Sequence, residues 1–326
     1  MKEEEIAALD GDWWEFTPAQ RAAFALARKL SLEPHRITDA DIDQIRKHYT
    51  DLQILEMILS IAANNAINRW KEGVGVPQEK EATGFLKRAE KPVPADRPLP
   101  IKSFLTPTAE AYKEKITSVA PLSKNERTGA ATRHCVSTRP PLESRAEVEK
   151  MLELCRKRTP RLPLVDEAKA RELLPKDWPD GLLPQWIRLL AHFPKDGKNR
   201  ILSGRAADEK GDLKPLLKAQ VSWILARQDR AWYALGEAKH RLQQLRCSDD
   251  RIYALDGDWA EFTPAERALF ILARNLAAAP IVATDEDVSR ALRLTAPREV
   301  VQLISYTTNR ASFDRITEAA GLQLER

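Results

Sequence analysis

Residues 8–30 read ALDGDWWEFTPAQRAAFALARKL, and residues 254–276 read ALDGDWAEFTPAERALFILARNL. The two phrases decide the fold. Each holds a Thr-Pro-Ala-Gln/Glu step, Thr17 to Gln20 and Thr263 to Glu266, with Thr at N-cap, Pro in the first helical position and Gln or Glu three residues after Thr. That is a capping box with a preferred first residue. Phe24, Leu26, Ala27 and Leu30 follow at helical spacing and recur as Phe270, Leu272, Ala273 and Leu276.

The match extends beyond the phrase. Shifting the chain by 246 positions aligns residues 8–76 with 254–322 without a gap, and 26 of the 69 pairs are identical. This period is far too long for a solenoid, so it marks a duplicated unit. A second start recurs at Thr38-Asp39-Ala40-Asp41 and Thr284-Asp285-Glu286-Asp287, placing acid on a helix N-terminus. A long third helix is predicted over about 51–72 and about 297–319, with Gly75 and Gly321 positioned to end each copy. No stretch alternates with period two, so the predicted fold class is all-α.

Between the copies, residues 78–160 carry nine of the 21 prolines and 17 Lys/Arg against 11 Asp/Glu. Such a segment is a poor core former and reads as a basic, partly extended linker. One helix is predicted inside it, near 145–158, from the capping box Ser144-Arg145-Ala146-Glu147. From 161 the pattern is globular again. Helices are predicted at 180–194, at 199–211 and over 212–245, the last continuous or jointed near Gln228-Asp229, and Ser248 caps a short one. The expected units are 1–77, the linker 78–160, and 161–326. Unit one has no counterpart to about 180–246.

Composition narrows the function classes. At 43% hydrophobic and 31% charged, the chain has the balance of a globular protein. It has no apolar run of membrane-spanning length and no signal-peptide core near Met1, so a cytoplasmic protein with no membrane partner is expected. Cys135, Cys155 and Cys247 form neither a CxxC pair nor a zinc spacing, and the five histidines show no ligand pattern. No metal and no cofactor is expected. His35 and His48 align with Ile281 and Leu294, which argues against a shared catalytic histidine. The net charge of +4 gives no ground for a nucleic-acid partner.

The segments LLKAQVSWILARQDRAWYALGEAKHRLQQLRCSDDRIYAL, FTPAERALFILARNL, TDEDVSRAL and VVQLISYTTNRASFDRITEAAGL resemble the alkylhydroperoxidase D-like (carboxymuconolactone decarboxylase) superfamily. Residues 1–77 resemble only its later portion, so the resemblance implies two such helical domains, the first partial. An Asn-Arg pair in the last helix, Asn68-Arg69 and Asn309-Arg310, is similar to the peroxidase-related branch, although the two pairs do not align with each other. The hydroperoxidase branch works through C-x-x-C-x-x-x-H with a Glu upstream: a thiolate held by a helix dipole attacks peroxide and the second Cys resolves the product. The resemblance puts these positions at Arg230, Tyr233 and Glu237, with Lys218 in place of the upstream Glu. All four depart, so dithiol peroxidase chemistry has no residues to run on.

Two readings of these positions stand open. Arg230, Tyr233 and Glu237 at i, i+3 and i+7 would share one helix face, as a repurposed site in which Arg230 holds an anion and the other two handle protons. Alternatively Arg227, Asp229, Arg230, Glu237 and Lys239 form an internal ion-pair cluster replacing a lost site. Trp223, Trp232 and Tyr233 read as core aromatics, and Trp13 and Trp259 as packing of the repeated turn. Three functions follow. The first is a superfamily member without dithiol activity. The second is an antioxidant peroxiredoxin-type enzyme or a decarboxylase, using residues upstream of Met1 or a repurposed site, although the decarboxylase branch also expects a His where Glu237 stands. The third is an anion or nucleic-acid binder acting through the basic linker. The resemblance also implies a homo-oligomer, or an intramolecular pseudo-dimer in which 1–77 packs on 161–326.

Overall fold

The computed structural model describes residues 9, 13, 16–76 and 141–325. The described residues form helices joined by turns and loops, with no strand among them, so the fold class is all-α. Residues 77–140, most of the expected linker, lie outside them, and so does Cys135.

The first half holds α1 (Pro18–Leu32), α2 (Asp39–Arg46) and α3 (Asp51–Val74). The second begins with α4 (Arg145–Arg156), α5 (Glu167–Arg171), α6 (Gln185–Leu190) and α7 (Pro194–Glu209). It continues with α8 (Pro215–Asp229), α9 (Trp232–Gln244) and α10 (Asp249–Tyr253). The set closes with α11 (Pro264–Ala277), α12 (Asp285–Leu294) and α13 (Pro297–Ala319). The capping boxes at Thr17, Thr38, Ser144, Thr263 and Thr284 all form, and Thr50 makes another with Gln53 that the sequence reading did not single out. Gly75 ends α3 in the left-handed conformation, φ 65°.

α13 is buried over most of its circumference, as a helix in the middle of a fold must be. It packs against α3, α8, α9 and α11, and its most extensive contact is with α3 of the first half. The two long repeated helices therefore lie against each other. Trp70 Nε1 donates to Ser305 Oγ at 3.2 Å across this seam. Arg161 adds a second tie, with its Nε 2.6 Å from Asp39 and its Nη1 2.6 Å from the Glu318 carbonyl.

Several boundaries differ from the sequence reading. The segment from 141 to 160 is not linker: Val148, Leu152 and Cys155 are fully buried, and α4 packs on α9. Its high charge sits on the outer face of an amphipathic helix, and composition alone averages that face with the buried one. The helix predicted at 180–194 is confined to 185–190, and the one at 199–211 starts earlier, at Pro194.

The repeated phrase is a packed turn in both copies. Trp13 and Trp259 have positive φ, 64° and 61°. Each indole donates to the carbonyl four residues back, Leu9 at 2.8 Å and Leu255 at 2.6 Å. Each ring then meets the phenylalanine of the capped helix edge to face, Phe24 at 5.8 Å and Phe270 at 5.5 Å. The phrase recurs because the same indole fixes the same turn onto the same helix. Trp259→Ala is expected to cost about 3–5 kcal/mol, as for a buried large-to-small change. Trp13→Ala should cost less, because Trp13 is only half-buried. Urea unfolding of the two variants checks the order.

Candidate functional site

The four positions that the resemblance singles out do not come together. α8 ends at Asp229, and Arg230 caps it in the left-handed conformation with φ 53°, before α9 starts at Trp232. Arg230 therefore does not share a helix face with Tyr233 and Glu237, and the i, i+3, i+7 reading is corrected. Its Nε donates to Glu143 Oε1 at 2.6 Å. Tyr233 is fully buried, and its hydroxyl donates to Glu325 Oε1 at 3.1 Å. Burial, Glu237 and Glu325 together push that hydroxyl well above its ordinary pKa. Gly236 makes room for this tail, since a Cβ there would lie 2.3 Å from Leu324.

Lys218 is buried in α8, and its Nζ donates to the carbonyls of Ala207 at 2.7 Å and Lys210 at 2.5 Å. Burial lowers its pKa, partly offset by Asp208. The described cysteines are poor nucleophiles: burial pushes the Cys155 thiol up to about 12 and also raises Cys247. No group of His, Cys, Asp and Glu among the described residues could hold a metal.

The single ion-pair cluster expected from the sequence is divided: Arg227 and Arg230 share Glu143, while Lys239 and Asp229 pair elsewhere. Arg227 pairs with Glu143 at 2.8 Å and Asp256 at 3.0 Å. Lys239 pairs with Glu149 and Asp249, and Asp229 reaches Arg315 at 2.8 Å. Trp223, its ring fully buried, donates to Asp256 Oδ1 at 2.8 Å. The core assignment of Trp223, Trp232 and Tyr233 matches their burial.

Two buried polar groups emerge whose partners spacing did not show. The first lies in the seam between the halves. Arg69 and Arg315 occupy equivalent positions of the repeat, 246 apart. Arg315 Nη2 donates to the Ser31 carbonyl at 3.2 Å, and Arg69 Nη2 donates to the Ala277 carbonyl at 3.5 Å and to Ala278 at 3.3 Å. Ser31 and Ala277 are themselves equivalent, each at the C-terminal end of its capped helix. Each arginine thus crosses to the carbonyl end of the other half's helix, where the helix dipole favours a cation. Burial and the Arg315 charge lower the Arg69 pKa to about 9, and Asp229 opposes that shift.

The second group lies around α13. Tyr306 donates to Asp208 Oδ1 at 2.8 Å, shares a 2.9 Å bond with Ser222 Oγ, and receives Arg241 Nη1 at 3.3 Å. Arg241 also pairs closely with Asp208. Burial would raise the Asp208 carboxyl, but Arg310 and Arg241 hold it below its ordinary value. Burial pushes the Tyr306 hydroxyl up to about 12. Asp314, one turn past Arg310, is pushed well above the carboxylate range by burial and the Asp229 charge. The sequence signal was faint: Tyr306, Arg310 and Asp314 recur every four residues on one face of α13, amid residues that read as core.

No family model matches this chain, and no curated protein matches it. Among solved structures it is similar to the debrominase Bmp8 in complex with 2,3,4-tribromopyrrole. The TM-score is 0.42 and the identity 16%, over 58% of this chain and 94% of that one. It is also similar to Bmp8 in its apo form, at TM-score 0.42 and 15% identity, over 56% and 90% of the two chains.

Two substitutions probe these groups. Asp229→Asn leaves the Arg315 and Arg69 cations without their buried counter-charge and is expected to destabilise by about 3–5 kcal/mol. Replacing both partners, Asp229→Leu with Arg315→Met, should recover much of that loss in urea unfolding. Asp314 has an acid pKa raised by folding, so the native state holds a proton that the unfolded chain releases above about pH 4. Its contribution therefore falls as pH rises from there. Asp314→Asn should stabilise the protein at pH 7 and leave stability unchanged below about pH 4, read from melting temperatures across that range.

Proposed function

We propose that this chain is an alkylhydroperoxidase D-like helical protein without dithiol peroxidase activity, in which the tandem halves form an intramolecular pseudo-dimer. The observation that carries the first part is the fate of the motif positions. Arg230 and Tyr233 stand where the resemblance expects the two cysteines, and each is bonded to a carboxylate of another segment, Glu143 and Glu325. Lys218, in place of the upstream Glu, donates to backbone carbonyls. These side chains tie elements together and leave no thiolate to attack a peroxide. The pseudo-dimer reading rests on the arginine exchange, since a contact in which each half gives the other the same bond is the signature of a two-fold interface.

The test is consumption of a hydroperoxide in the presence of a dithiol reductant. The expected rate equals the protein-free rate. Saturable turnover that disappears in Cys155→Ser or Cys247→Ser would overturn the proposal. Turnover that survives both substitutions would also overturn the structural reading, in favour of an enzyme with a repurposed site.

A further inference from the structure

Arg310 is a guanidinium without an assigned task. It donates no hydrogen bond to any described residue, and its Nε is closed off from solvent with no acceptor. A guanidinium carries five N–H donors, and leaving buried donors unmade is costly, the more so for a charged group. Its surroundings favour the charge without bonding it: Tyr306, Asp208, Asp314 and Glu237 together hold it charged against burial. The group lies over the Phe313 ring, 4.4 Å from ring centre to guanidinium carbon. Phe313 in turn meets Trp186 edge to face at 5.7 Å. Arg310, Phe313 and Trp186 are each partly exposed, so this spot is reached from the surface.

The repeat supplies an internal control. Tyr306, Arg310 and Asp314 align with Ser60, Asn64 and Asn68, which are all exposed. The first half places neutral residues where a charge would be solvated at little cost. The second half places ionisable ones where α7, α8 and α9 bury them. Charge confined to the positions where it is most costly is a feature of functional sites.

We propose that Arg310 anchors a small planar carboxylate at the junction of α6, α9 and α13, with the Phe313 and Trp186 rings beside the ligand's apolar body. With Nε closed off, the guanidinium stacked on the ring keeps its two Nη groups in plane, the edge that can donate two parallel bonds to a carboxylate. The second bond is what sets this site apart from a mere excess of positive charge.

The probe is sodium benzoate, titrated calorimetrically into the full chain at fixed ionic strength, with benzyl alcohol as the uncharged control. One saturable site is expected for benzoate and none for benzyl alcohol. Arg310→Gln should weaken binding at least tenfold. Arg310→Lys, which keeps the charge and loses the fork, should weaken it severalfold. Arg290→Gln, which removes an exposed guanidinium on α12, should leave it unchanged. Should Arg310→Gln not fold, as read by circular dichroism, Arg310→Lys decides. No benzoate binding to the unsubstituted protein would overturn the proposal, as would equal affinity in the folded Arg310 variants or equal binding of benzyl alcohol.

Discussion

The fold depends on two arginines crossing one seam. Arg69 and Arg315 are both buried where α3 and α13 meet. Removing two cations from water costs several kcal/mol each unless charge and hydrogen bonds replace the water. Asp229 supplies the charge, and the carbonyl ends of α1 and α11 supply the bonds. Those partners exist in only one register. Sliding α3 along α13 by one turn would move both guanidiniums off the helix ends at once, about 5.4 Å away. Apolar contacts alone would tolerate such a slip far better. The arginines add little net stability of their own; they select the one alignment in which burying them is bearable.

That constraint explains what else is repeated and what is not. Lys29 and Asp41 pair at 2.6 Å in the first half, and their equivalents Asn275 and Asp287 bond at 3.1 Å in the second. Both contacts hold the capped helix to the short helix after it, so the helix ends stay where the arginines need them. The Trp turn before each capped helix fixes its other end. Beyond this shared frame the halves diverge, because only the second is covered by α4 and α6 to α9. Its long helix carries a polar face inward where the first carries one outward.

Much of the frame was legible in the sequence, because helix starts are local. Thr17, Thr38, Ser144, Thr263 and Thr284 each announce a cap through a residue three positions on, and no tertiary information is needed to read them. The candidate site was less legible. Arg230 takes a left-handed conformation that no spacing rule reveals, so the face it was to share with Tyr233 does not exist. Glu143 and Glu325, the partners that settle what Arg230 and Tyr233 do, lie 87 and 92 residues from them. Such pairs form by folding, and a linear pattern carries no trace of them. Glu143 was further hidden by the proline-rich composition of the segment before it.

The described cysteines and the Arg310 cluster both turn on what a buried reactive or charged group needs around it. A reactive thiolate needs a cation or helix end beside it and access to solvent. At the positions where the proposed resemblance would put two thiols, Arg230 and Tyr233 bring bulk and bonds, and the tail at Leu324 and Glu325 packs beside Tyr233 and Gly236. A separate polar set, Tyr306, Arg310 and Asp314, lies along α13, one helix away. If that character served packing alone, apolar residues of similar size would do as well or better, since replacing buried ionic groups by apolar ones is often neutral or stabilising. Keeping a guanidinium there whose Nε is closed off without an acceptor is a continuing cost to the folded state. A carboxylate bound at the Nη groups would offset that cost without reaching Nε, and so gives the chain a reason to retain Arg310.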